Sequence, residues 1–133
     1  MEKVQFVVLL NNEFYENMHT TFTSVKLKTI FFLNTEIEID VYLWDTDCRK
    51  NYRSSLYESI KNVGGLILVF DVSDYNSFKN LKKWLKDISQ NLEKNIPLVL
   101  FANKVDLPKE CWKVTDEQVK EFATKNNLVY FIF

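Results

Sequence analysis

From residue 36 to residue 43 the chain alternates: Ile37, Ile39, Val41 and Leu43 fall between Glu36, Glu38, Asp40 and Tyr42. A period of two puts apolar side chains on one face of a strand and leaves the other face at least partly wet. Residues 26–33 form a second apolar run, so 26–33 and 36–45 read as two strands of an antiparallel hairpin joined at Asn34-Thr35. Apolar runs at 3–10, 65–71, 98–101 and 128–133 read as further strands. Those at 65–71 and 98–101 lack alternation, which suits strands covered on both faces.

A different period begins at Asp74. Phe78, Leu81, Leu85, Ile88 and Leu92 recur at three- and four-residue steps, with Lys79, Lys82, Lys83 and Lys86 on the other side. That is an amphipathic helix, and Ser73 or Asp74 can cap its start. Thr115-Asp116-Glu117-Gln118 has capping-box spacing and predicts a last helix with Val119, Phe122 and Ala123 inward. Residues 51–61 suggest a weaker helix, and 11–23 a polar, irregular link. Strands alternating with helices predict an α/β fold: a mostly parallel sheet with right-handed crossovers and one antiparallel edge hairpin. At 133 residues, 1–133 make one domain.

Composition narrows the function classes. A net charge of −1 supplies no long-range field for nucleic acid or a membrane surface. Cys48 and Cys111 make no disulfide or metal pattern, which fits a reducing compartment and a cytoplasmic location. The apolar run through Leu10 is too short for a signal peptide or a membrane span. The most informative count is glycine. The chain has 2, adjacent at Gly64 and Gly65, where average usage near 7% would give about nine.

The candidate chemistry stands where the run Leu98-Val99-Leu100-Phe101 passes into Ala102-Asn103-Lys104-Val105-Asp106. Open α/β sheets place ligand sites at the C-terminal ends of their strands. A carboxylate fixed there accepts two hydrogen bonds from a planar donor pair such as the N1–H and N2–H2 edge of guanine. The lysine stem can lie along an adjacent ring while its ammonium stays in water. An ordinary polar turn explains the same four residues. Trp112, next to Cys111, reads as a packing aromatic in a loop.

With Trp44-Asp45-Thr46, Leu68-Val69-Phe70-Asp71-Val72, Ser77-Phe78 and Trp84-Leu85, these residues stand in an order and spacing that resembles the Ras superfamily of small GTPases, its Rab branch most closely. The resemblance runs from about Phe14 onward. It implies GTP or GDP with Mg2+ as ligands: Asn103, Lys104 and Asp106 reading the base, Phe14 packing against the guanine edge, and Asp45 and Thr21 at the metal. It also implies a role in intracellular transport. One branch, the Rab-like subunit of the intraflagellar transport-B complex, is similar in the long hairpin and in Asp106-Leu107-Pro108, which implies a cilium.

The sequence departs from the family at the phosphates. Between strand one and the hairpin the family carries Gly-x-x-x-x-Gly-Lys-Ser/Thr, whose backbone N–H groups and lysine hold the triphosphate, and then a helix. Here Leu9-Leu10 passes directly to Asn11-Asn12-Glu13-Phe14, with no glycine, and no lysine between Lys3 and Lys26. Losing about five charge-assisted hydrogen bonds at about 1.5–3 kcal/mol each removes roughly 10 kcal/mol, or about seven decades of affinity. Arg49 replaces the glutamine that orients the attacking water, and arginine only donates hydrogen bonds, so no catalytic residue is assigned. The link at 11–23 reaches roughly 40 Å extended against roughly 10 Å of sheet to cross, so the sheet survives the deletion. The resemblance further implies that the first and last helices, which share one face of the sheet, are missing, and with them any C-terminal lipid anchor. An apolar face of roughly several hundred Å² would then be open for a protein effector or complex subunit. Three functions follow: an interaction module, an active GTP-binding switch, or an inactive truncated product.

Overall fold

The computed structural model describes residues 2–10, 23–31, 38–45, 57–58, 61–92 and 96–132. Six strands form one sheet in the order β2-β3-β1-β4-β5-β6. They are β1 (Glu2–Leu10), β2 (Thr23–Phe31), β3 (Glu38–Asp45), β4 (Gly65–Asp71), β5 (Leu98–Asn103) and β6 (Val129–Ile132). β1, β3, β4, β5 and β6 run parallel, and β2 pairs antiparallel to β3 at one edge. Two helices, α1 (Tyr75–Asn91) and α2 (Asp116–Lys125), provide the crossovers from β4 to β5 and from β5 to β6. This is the expected α/β sheet with an edge hairpin.

One boundary differs from expectation. β2 begins at Thr23 rather than at residue 26, because Thr23, Ser24 and Val25 extend the ladder to Asp45, Trp44 and Leu43. The β-branched Thr23 and Val25 suit such an extension. The register shifts between Lys26 and Lys28, so this edge strand carries an irregularity of the bulge kind. The expected helix at 51–61 falls largely outside the described residues, although Tyr57 and Glu58 are helical. So do the link at 11–22 and the hairpin turn, and with them the expected loss of the first helix.

β4 is the centre of the described packing. Leu66, Leu68 and Phe70 alternate with Ile67 and Val69, and the first three are buried with Leu100 and Ala102 of β5. α1 covers that face through Phe78, Leu81, Trp84 and Ile88. The Phe78 ring lies 5.2 Å from Phe70 in an edge-on contact and 5.3 Å from Phe122 of α2, so both helices sit on the same side. The opposite side is less covered. Ile67, Val99 and Val129 stand in one register row, Val69, Phe101 and Phe131 in the next. Val69 is buried, but Val129 is 59% exposed and Phe131 42%.

Both helix starts follow their sequence signals. Asp74 caps α1 by accepting from the Asn76 N–H at 2.9 Å. At α2 the Thr115 hydroxyl accepts from the Gln118 N–H at 3.2 Å, while the Gln118 side chain accepts from the Thr115 N–H at 2.9 Å. Thr115→Ala is therefore expected to destabilise the protein by about 1 kcal/mol, read as a lower urea midpoint, with Thr115→Ser close to the parent.

Candidate functional site

The site forms where β4 and β5 end side by side. Asp71 and Asn103 are register partners in the parallel ladder, and the Val72 N–H donates to the Asn103 carbonyl at 3.1 Å. Parallel pairing thus brings a strand-end carboxylate against the start of the Asn103-Lys104-x-Asp106 loop. Asn103, Lys104 and Asp106 are all exposed, at the sheet edge where the family resemblance expects the base to be read.

Asp71 is buried, and its carboxylate is fully engaged. One oxygen accepts from the Ser73 N–H at 2.8 Å and from the Ser73 hydroxyl at 2.6 Å. The other lies 2.6 Å from Lys104 Nζ. Burial pushes its pKa up, but the bonds from Lys104 and Ser73 outweigh that and hold it below the usual carboxylate value. The Asp71 backbone is pinned as well, its N–H donating to Ser77 Oγ at 2.9 Å, and Ser77 Oγ donates on to the Asp74 carbonyl at 2.7 Å. The Lys104 ammonium pairs with Asp71, and its side chain is 47% exposed.

The far end of the loop is fixed separately. Lys104 takes φ 61°, the left-handed region, and its carbonyl accepts from the Leu107 N–H at 3.2 Å. Trp112 Nε1 donates to the Leu107 carbonyl at 2.9 Å, so the packing expected of Trp112 includes a polar anchor. Lys109 Nζ sits 3.4 Å from the centre of the Trp112 ring and 3.1 Å from Asp116 at the start of α2. The turn is therefore held to β4 at one end and to the β5–α2 connection at the other.

Of the residues expected at the site, the structure brings Asn103, Lys104 and Asp106 together in one turn. Asp45 ends β3, paired to Val8 of β1 and to Thr23 of β2, at the same edge of the sheet. Phe14 and Thr21 lie outside the described residues. Among the described residues no three His, Cys, Asp or Glu side chains come together as a metal-binding group, and no helix is long and apolar enough to cross a membrane. The residue sequence reasoning passed over is Asp71. A carboxylate closing one buried strand, next to a strand that ends in Asn-Lys, is the signal that would have found it.

Relatives now decide the family. The Ras family model matches residues 3–132, nearly the whole chain. The chain belongs to the Ras family. Within it the similarity is to Rab proteins. The chain is 36% identical over 92 residues to Ras-related protein Rab-11B of Dictyostelium discoideum, covering 69% of this chain and 41% of the relative. It is 31% identical over 125 residues to human Ras-related protein Rab-7b, covering 92% of this chain and 61% of the relative. A probable Rab-related GTPase of Acanthamoeba polyphaga mimivirus matches at 32% over 88 residues, 66% of this chain and 41% of that protein. The matches span between 41% and 61% of these three relatives. GTP or GDP with Mg2+ are the ligands of the family.

Proposed function

We propose that this Rab-like chain acts in intracellular transport as an interaction module. It keeps the base-reading turn of a small GTPase and has given up the grip on the phosphates and the hydrolysis that depends on it. One observation carries the reading. β1 ends at Leu10 and β2 begins at Thr23, and the twelve residues between them contain no glycine and no lysine. Glycine lets backbone N–H groups converge closely on a phosphate, and none stands in that stretch. Asn103, Lys104 and Asp106 alone address a base, which is a small part of a nucleotide's binding energy.

The partly open sheet face supports a protein partner. Val129 and Phe131 present apolar side chains on the side away from α1 and α2, and a protein effector or complex subunit is the occupant that fits such a surface. The transport is vesicular or intraflagellar, the second because the long hairpin and Asp106-Leu107-Pro108 are similar to the Rab-like subunit of the intraflagellar transport-B complex.

Titration with a fluorescent GDP analogue, with and without Mg2+, tests the reading. Half-saturation is expected to lie above about 1 mM and to ignore Mg2+. Micromolar, Mg2+-dependent binding would overturn it in favour of an active GTP-binding switch, the reading that the retained turn at 103–106 favours.

A further inference from the structure

The turn at 103–107 is left-handed at Lys104, with φ 61°. A residue with a Cβ does not rest there without help, since the left-handed region disfavours such side chains. Lysine has none of the local side-chain hydrogen bonding that lets Asn or Asp tolerate it. Something must hold it. The strongest contact described at Lys104 is the 2.6 Å ion pair with Asp71, whose side chain is 6% exposed. Asp71 is itself immobilised by Ser73 through two hydrogen bonds and by Ser77 at its backbone. A fixed carboxylate and a partly desolvated ammonium make a stronger pair than two exposed side chains, because less solvent screens them and less entropy is lost on pairing.

We propose that Asp71 is the positioning residue of the base-reading turn: its buried carboxylate clamps Lys104 and so holds the left-handed backbone, and with it Asn103 and Asp106, in one shape from within the protein. The chain of support runs from the core to the surface. Ser77, on the buried side of α1, pins Asp71; Asp71 holds Lys104; Lys104 sets the turn; Leu107 and Trp112 close it. A turn held this way presents the same surface at all times, so a partner that docks on it meets a constant shape. The clamp rests on the reading of 103–106 as the base-reading turn but not on the loss of phosphate binding, and hydrogen exchange detects it without a nucleotide.

Backbone amide hydrogen exchange of the full chain tests it, with Asp71→Asn, Lys104→Met and the double variant. Two amides report on the turn: Leu107, bonded to the Lys104 carbonyl, and Val72, bonded to the Asn103 carbonyl. In Asp71→Asn both are expected to exchange about tenfold or more faster, beyond any rise at Leu68 and Leu100 in the sheet core. Lys104→Met, which alters a half-exposed side chain and leaves the core intact, is expected to do the same, and the double variant to add little. Unchanged exchange at Leu107 and Val72 in either single variant would overturn the proposal. So would a rise that Leu68 and Leu100 match in full, because Asp71 would then stabilise the fold as a whole and not the turn.

Discussion

Phe78→Ala is expected to remove about 3–5 kcal/mol of stability, a large share of the roughly 5–15 kcal/mol typical of a domain. The ring sits at the junction of three elements, against Phe70 of β4 on one side and Phe122 of α2 on the other. Truncation loses the apolar transfer energy and the aromatic contacts with Phe70, Tyr75 and Phe122, and leaves a cavity that neither helix can close alone. Phe78→Leu keeps most of the volume and should cost about 1–2 kcal/mol. Urea unfolding followed by circular dichroism gives both values. A loss below about 1 kcal/mol for the alanine variant would mean that α1 and α2 do not share a packed core through this ring.

The second large effect belongs to Asp71. Asp71→Ala is expected to cost about 2–3 kcal/mol, from two bonds to Ser73 and the charge-assisted contact with Lys104. Removing one partner of a fully buried pair costs more, but Lys104 is half-exposed and can turn to water. The pH dependence has a definite sign. The carboxyl pKa is lower in the folded than in the unfolded chain, so the folded state resists protonation. Its contribution is fully present above the unfolded value near 3.8 and is lost as pH falls through the lower folded value. Thermal midpoints measured from pH 7 down to pH 3 should therefore fall more steeply below about pH 4 for the parent than for Asp71→Asn. Parallel curves would show that the carboxylate gains nothing from its partners.

The helices were the most legible part of the sequence. Asp74 and Thr115-x-x-Gln118 announce the starts of α1 and α2, because a cap is a local bond between residues two or three apart. β4 and β5 were legible for another reason: a buried strand is a short apolar run whose ends are polar. Trp84, 1% exposed, is harder to recognise as core, since Leu81, Leu85 and Ile88 already supply a helical stripe beside it. The early start of β2 was hidden because Thr23 and Ser24 are polar, and only pairing with β3 tells a strand from a link there. The site divides in the same way. Asn103, Lys104 and Asp106 are contiguous and could be picked out together. The Lys104–Asp71 pair joins positions on two strands and exists only because β4 and β5 are neighbours. A reading that treats each strand end separately gives the lysine to solvent.

Neither glycine is at a positive φ, whereas Lys104 and Asn127 are, at 61° and 54°. Glycine serves two purposes in proteins: it lets a chain bend where other residues are strained, and it lets a backbone come close to something else. At Lys104 and Asn127 the bending is done by residues with side chains, at a cost of about 1–2 kcal/mol for a residue such as lysine. The scarcity of glycine has therefore not prevented tight corners. Close approach of bare backbone to a guest is left to Gly64 and Gly65 alone.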